Sequence, residues 1–84
     1  MIHRAASSFW RCYDNLDLSI QALADKNFAL LKDNPYHPSL HFKKVGLVWS
    51  ARVGLDYRTI ATEESYGFLW IWIGLHKEYD KLIG

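Results

Sequence analysis

Two arginines and a histidine–tyrosine pair carry the chemistry that this sequence has to offer. Arg52 stands in the run Trp49-Ser50-Ala51-Arg52-Val53 and Arg58 in Asp56-Tyr57-Arg58-Thr59-Ile60-Ala61, both in stretches that read as β-strand. A guanidinium held by a strand can grip a phosphate or stabilise a dianionic transition state, because its planar fork gives two parallel charge-assisted hydrogen bonds. The plainer use of Arg58 is an ion pair with Glu63, Glu78 or Asp80. Arg52 alternates with Ser50 against Trp49, Ala51 and Val53, and this equally fits a solvated strand face. His76 follows Gly74 just past the last strand, where an imidazole can take and return a proton near neutral pH. If the tail turns helical, Tyr79 falls on the face of His76 and Asp80 can orient the ring. The plainer role is a helix cap, with Tyr79 packed on the sheet edge.

Other chemistries find no pattern. His37 and His41 flank Pro38, which blocks the helix that would align them, and there is neither a cysteine pair nor a His-Glu-x-x-His run, so no metal site is expected. No glycine-rich phosphate loop is present and no cofactor is expected. Ser39, Ser50 and Cys12 lack the surroundings of an activated nucleophile. Lys43 and Lys44 form the one basic pair, and charged lysines on an edge strand also serve to resist aggregation.

The elements that must position these residues follow from periodicity. Ser7 to Asn15 reads as a short helix with Ser7 or Ser8 as N-cap, and Leu18 to Asp33 as a longer one, stopped by Asn34-Pro35. Asn34 to Ser39, with two prolines, predicts an extended surface loop. Strands follow over Leu40–Val45, Leu47–Val53, Asp56–Thr62 and Phe68–Leu75, with links short enough for an antiparallel meander. Ile2 to Ala6 suggests a first strand, although the run is too short to assign. Strict alternation puts Phe68, Trp70 and Trp72 on one face and Leu69, Ile71 and Ile73 on the other, so both faces of that strand need cover. The helices should supply one side, and the tail, a second copy or a partner the other.

Composition bounds the rest. The 84 residues suit one domain spanning 1–84, and an apolar share of 50% with 15% aromatics argues for a folded, Trp- and Phe-rich core. Ten Lys and Arg against nine Asp and Glu leave a formal charge of +1, too little for a global field that attracts nucleic acid, so any RNA contact must be a local patch. The lone Cys12 and the lack of a leader pattern lead us to expect a reducing, cytoplasmic setting. The longest apolar run, Phe68 to Ile73, falls far short of the roughly 20 residues of a spanning helix, so no membrane contact is expected.

The order helix, helix, meander resembles the RelE/ParE superfamily of bacterial toxins from about Phe9 to Ile83. The likeness is carried by Leu40-His41-Phe42-Lys43-Lys44-Val45, by Trp49 to Arg58, and by the closing Gly74-Leu75-His76-Lys77-Glu78-Tyr79-Asp80. Its most diagnostic parts are Tyr57-Arg58 after a turn and the ending Gly-x-His-x-Glu-Tyr. The resemblance implies an α+β fold of two N-terminal helices packed on a small antiparallel sheet, with a short C-terminal helical turn. It implies the toxin of a type II toxin–antitoxin pair, held in a hetero-oligomer by its antitoxin. RelE-like members cut mRNA on the ribosome without a metal ion, the ribose 2′-OH attacking the adjacent phosphodiester to leave a 2′,3′-cyclic phosphate and a 5′-OH. On that pattern Arg58 is the phosphate-stabilising arginine, Arg52 the upstream basic strand residue, and His76 with Tyr79 the acid/base region. Lys43, Lys44 and Lys77 would contact RNA. The near-neutral charge and Ser50, where a second cation would fit, depart from the strongly basic RelE pattern. ParE-like members share the scaffold, lack the catalytic residues and poison DNA gyrase, and an inactive interaction module is a third outcome. In each toxin case the antitoxin would lay a helix or strand over the aromatic surface and cover Arg52 and Arg58.

Overall fold

The protein is seen in a computed structural model that describes residues 2–84. Helix α1 (Ser7–Asp14) and helix α2 (Leu18–Asp33) form where the apolar spacing predicts them. The cap of α1 differs from expectation. Ala6 holds the N-cap position without a side-chain bond, and Ser8, inside the first turn, donates its hydroxyl to the carbonyl of Ile71 at 2.8 Å. That serine ties α1 to the sheet instead of capping its own helix. Asn34, extended before Pro35, ends α2, since the proline ring disfavours a helical conformation in the residue before it.

The proline segment is less extended than expected, because Pro38–Leu40 closes one 3-10 turn. Proline fits the first position of such a turn, where its missing N–H has no partner to lose. The His37 ring accepts from the Ser39 amide and caps it. Leu40 therefore ends a turn and does not begin a strand, and at 1% exposure it is the most deeply buried large side chain. His41 follows with φ 45°, a left-handed conformation that delays strand β2 to Lys43–Val45.

Strands β3 (Val48–Val53), β4 (Tyr57–Glu64) and β5 (Gly67–Leu75) complete the expected meander, and helix α3 (His76–Ile83) closes the chain. One further strand, β1 (Ile2–Ala5), pairs with β5 in parallel, so the sheet runs β1-β5-β4-β3-β2 and is mixed, not wholly antiparallel. The fold is α+β. The N-terminal strand precedes both helices, and β5 becomes an interior strand with neighbours on each side.

The expected facing of β5 is corrected by a β-bulge. Ala61 pairs with Trp70 and Ile60 with Trp72, which leaves Ile71 as an extra residue. An inserted residue reverses the alternation beyond it. Phe68, Trp70 and Ile73 thus share the face that α1 and α2 cover, whereas Trp72 turns to the opposite face with Ile60. On the helix side Ala61 lies between Trp49 and Trp70 in one cross-strand row and is 0% exposed. Two indoles flanking an alanine fill the layer, as interior packing requires.

His3 of β1 is part of this core, stacked on Phe68 and Trp70 and edge-on to Phe28 of α2. Trp70 Nε1 donates to its Nδ1 at 3.1 Å, which demands an unprotonated Nδ1. Burial first, and nearby positive charge including Lys32, lower its pKa from the ordinary 6.5.

Two outcomes follow. Ala61→Leu should overpack the indole row and lower stability by about 1–3 kcal/mol in urea unfolding. Because neutral His3 is favoured in the fold, its stabilisation is complete above about pH 6.5 and is lost as pH falls toward the lowered folded value, the unfolded chain taking its proton first. His3→Phe should flatten the stability profile between about pH 7 and pH 5, measured by thermal unfolding.

Candidate functional site

The β3–β4 hairpin sets Arg52 and Arg58 directly opposite one another as cross-strand partners. Its turn depends on Gly54 at φ 65°, where the Leu23 side chain of α2 stands 2.7 Å from the place a Cβ would take. Like charges facing across two strands are destabilising, and a carboxylate normally offsets them. Here none does. The ion pairs among the described residues are His76–Asp80 and Lys81–Glu78, so the expected partners Glu63, Glu78 and Asp80 make no ion pair with Arg58.

Each arginine is held by other means. Arg58 Nη1 donates to the carbonyls of Tyr57 at 2.8 Å and Leu55 at 3.3 Å, which leaves most of its fork unused. Arg52 Nε is buried without an acceptor. Partial burial and then the Arg52 charge push the Arg58 guanidinium below its ordinary value, while Tyr79, Asp80 and Asp56 act the other way. It stays cationic at neutral pH. The two guanidinium groups thus form a site of positive charge with open donors.

Helix α3 folds back on the ends of β4 and β5. The His76 amide donates to the Asp56 carbonyl at 2.7 Å, which pins the start of the helix to the turn before Arg58. His76 Nδ1 lies 3.3 Å from Asp80 Oδ1, within ion-pair range though not aligned as a hydrogen bond. The His76 and Tyr79 rings stand edge to face, 6.0 Å apart. Tyr79 is 6% exposed, so it also fills the packing role that the sequence offered as the plainer alternative. Gly74, the β5 partner of Arg58, has the Trp72 ring over it, 2.5 Å from where a Cβ would stand.

The structure therefore brings Arg52, Arg58, His76 and Tyr79 to one end of the sheet. It does not gather the lysines there. Lys43 pairs with Ser50 and shares the face of Arg52, but Lys44 pairs with Trp49 on the helix side, so the expected basic pair is split. Lys77 is exposed one residue round α3 from His76, outside the stripe of His76, Tyr79 and Asp80. Ser50 does face with Arg52, yet it is buried at 3% exposure in a row between Lys43 and Trp72, not solvated. Two residues of this face escaped the sequence reading. Trp72 reaches it only through the bulge, and Arg4 only because β1 joins the sheet, pairing with Leu69 and lying over the Tyr66 ring at 4.8 Å.

No protein-family model matches the chain, and no curated protein sequence matches it either. Solved structures do. A chain of the RelB-RelE antitoxin-toxin complex from Methanococcus jannaschii superposes with a TM-score of 0.73 at 13% identity, over 96% of this chain and 99% of that one. The isolated E. coli RelE toxin gives 0.64 at 9% identity, over 98% of this chain and 94% of that one. A copper-bound mutant toxin from Helicobacter pylori gives 0.62 at 18% identity, over 90% of this chain and 94% of that one. The chain has the fold of the RelE toxins, as its motifs led us to expect; at these identities the likeness is one of fold.

The unneutralised arginine pair has a measurable signature. Arg52→Met keeps the aliphatic stem and strands no partner, so stability should rise by up to about 1 kcal/mol at low salt through relief of cross-strand repulsion. The gain should shrink as salt is added to thermal-unfolding samples, because screening removes the same repulsion in the parent chain.

Proposed function

We propose that this chain is the toxin of a type II toxin–antitoxin pair and acts in the cytoplasm as a metal-independent endoribonuclease on ribosome-bound mRNA. The observation that carries the reading is the Arg52–Arg58 pair, opposed across a hairpin with no carboxylate in ion-pair contact with either. Proteins keep such repulsion where an anionic ligand supplies the missing charge. The RelE-like fold and the position of His76 and Tyr79 beside the pair support a phosphodiester as that anion.

In this reading the guanidinium groups hold the non-bridging oxygens and stabilise the extra negative charge of the pentavalent transition state. His76 takes the proton of the attacking 2′-OH through Nε2, with Asp80 beside its Nδ1. The new 2′-O–P bond forms as the P–O5′ bond breaks, and Tyr79 protonates the leaving 5′ oxygen. The products are a 2′,3′-cyclic phosphate and a 5′-OH. Lys43 and Arg4 extend the positive surface along the same sheet face for the RNA backbone, whereas Lys77 remains an outlying contact and Lys44 lies on the other face. The antitoxin would silence the toxin by covering this face with acidic and apolar side chains.

The near-neutral charge favours one second reading, a protein target such as DNA gyrase, for which a strongly basic surface is unnecessary. Induced expression in a bacterial host separates the two. Under the ribonuclease reading the parent chain arrests growth and creates new transcript ends in phase with codons. Arg58→Ala and His76→Ala lower cleavage about 10²–10³-fold while still binding antitoxin. Growth arrest with intact transcripts and DNA damage, unaffected by His76→Ala, would establish the gyrase reading instead.

A further inference from the structure

Beneath α2, on the opposite side of the sheet from the arginines, lies a cavity of about 90 Å³ that nothing in the proposed reaction uses. It exists because small residues face one another there. Ala24 of α2, Ala51 of β3 and Thr59 of β4 line it together with Leu31 and Phe28 of α2. Trp10 of α1 and Phe28 of α2, both partly exposed, are also in its lining.

Three polar side chains of the wall donate hydrogen bonds within the protein. Thr59 Oγ1 donates to the Trp72 carbonyl at 2.8 Å, Asn27 Nδ2 to the Arg52 carbonyl at 3.3 Å, and Tyr13 Oη to Asp25 at 2.8 Å. A buried water needs two to four polar partners, and a predominantly apolar cavity stays dry and takes apolar guests. Size narrows the guest. An engineered apolar cavity of about 150 Å³ accommodates benzene, so this smaller one suits roughly a xenon atom or a three- to four-carbon hydrocarbon.

We propose that this cavity is a binding site for a small, uncharged, apolar molecule, independent of the toxin reading. One wall is the backbone of β3 at Arg52, bonded to Asn27, so an occupant would sit against the strand that carries the arginine pair.

The test is xenon under pressure, followed on the full-length ¹⁵N-labelled chain by amide chemical shifts. The expected result is saturable shifts at Ala24, Ala51 and Thr59, reported also by the Asn27 side-chain amide, with the β2 strand unmoved. Ala51→Leu from the sheet side and Ala24→Leu from the helix side should each abolish saturation by filling the space. Parent-chain shifts that rise linearly without saturation, or that spread evenly over the surface, would overturn the proposal, even if neither variant folded. Saturation that persisted in a folded filling variant would do the same.

Discussion

The extra residue at Ile71 decides how the rest of this small protein is arranged. Without it, β5 would send Trp72 to the helix side with Phe68 and Trp70 and turn Ile73 away, and the layer beneath α1 and α2 would not close around Ala24, Val53 and Ile73. With it, one strand contributes two aromatic rings and an isoleucine to the core and still delivers Trp72 and Gly74 to the other face, next to Arg58. Bulges increase local twist and re-aim side chains, and here the re-aimed strand is the interior one. The Ser8 bond to the Ile71 carbonyl anchors α1 at the same point, where β1 stops pairing.

Charge is distributed by the same register. The helix face is apolar, with His3 kept neutral among aromatic rings, while Lys43, Arg52, Arg58 and Arg4 fall on the opposite face. The chain is nearly neutral overall, yet this face gathers four of its ten Lys and Arg, with Asp56 and Asp80 near Arg58 but making no ion pair with it. Composition alone cannot report such segregation. A net charge describes the far field, whereas a phosphate at a hairpin responds to the guanidinium groups within a few ångströms.

Much of this was legible in the residues. The bounds of α2 came directly from its stripe and the Asn34-Pro35 stop, and the tail formed the helical turn that brings Tyr79 round to His76. Alternation correctly separated Arg52 from Trp49, Ala51 and Val53. What escaped were features set by distant pairing. Four residues of β1 become a strand only because β5 offers an edge, and a parallel partner so far along the chain leaves no local signature. The bulge was invisible because Phe68 to Ile73 is apolar at every position, so a shift in facing changes no pattern. The opposition of Arg52 to Arg58 depends on hairpin register, and the alternation within each strand does not fix that.

We propose that the two opposed arginines, free of ion-pair partners, bind a phosphodiester. The most direct test is to titrate the intact chain with a short RNA whose attacking 2′-OH is replaced by hydrogen, and to follow the arginine Nε–H resonances. The account predicts that the Arg52 and Arg58 signals shift together and saturate, Arg52 Nε gaining the acceptor it lacks, while Arg11 on α1 stays unmoved. If the RNA bound without moving either signal, or if neither responded at any concentration, the phosphate site would be refuted.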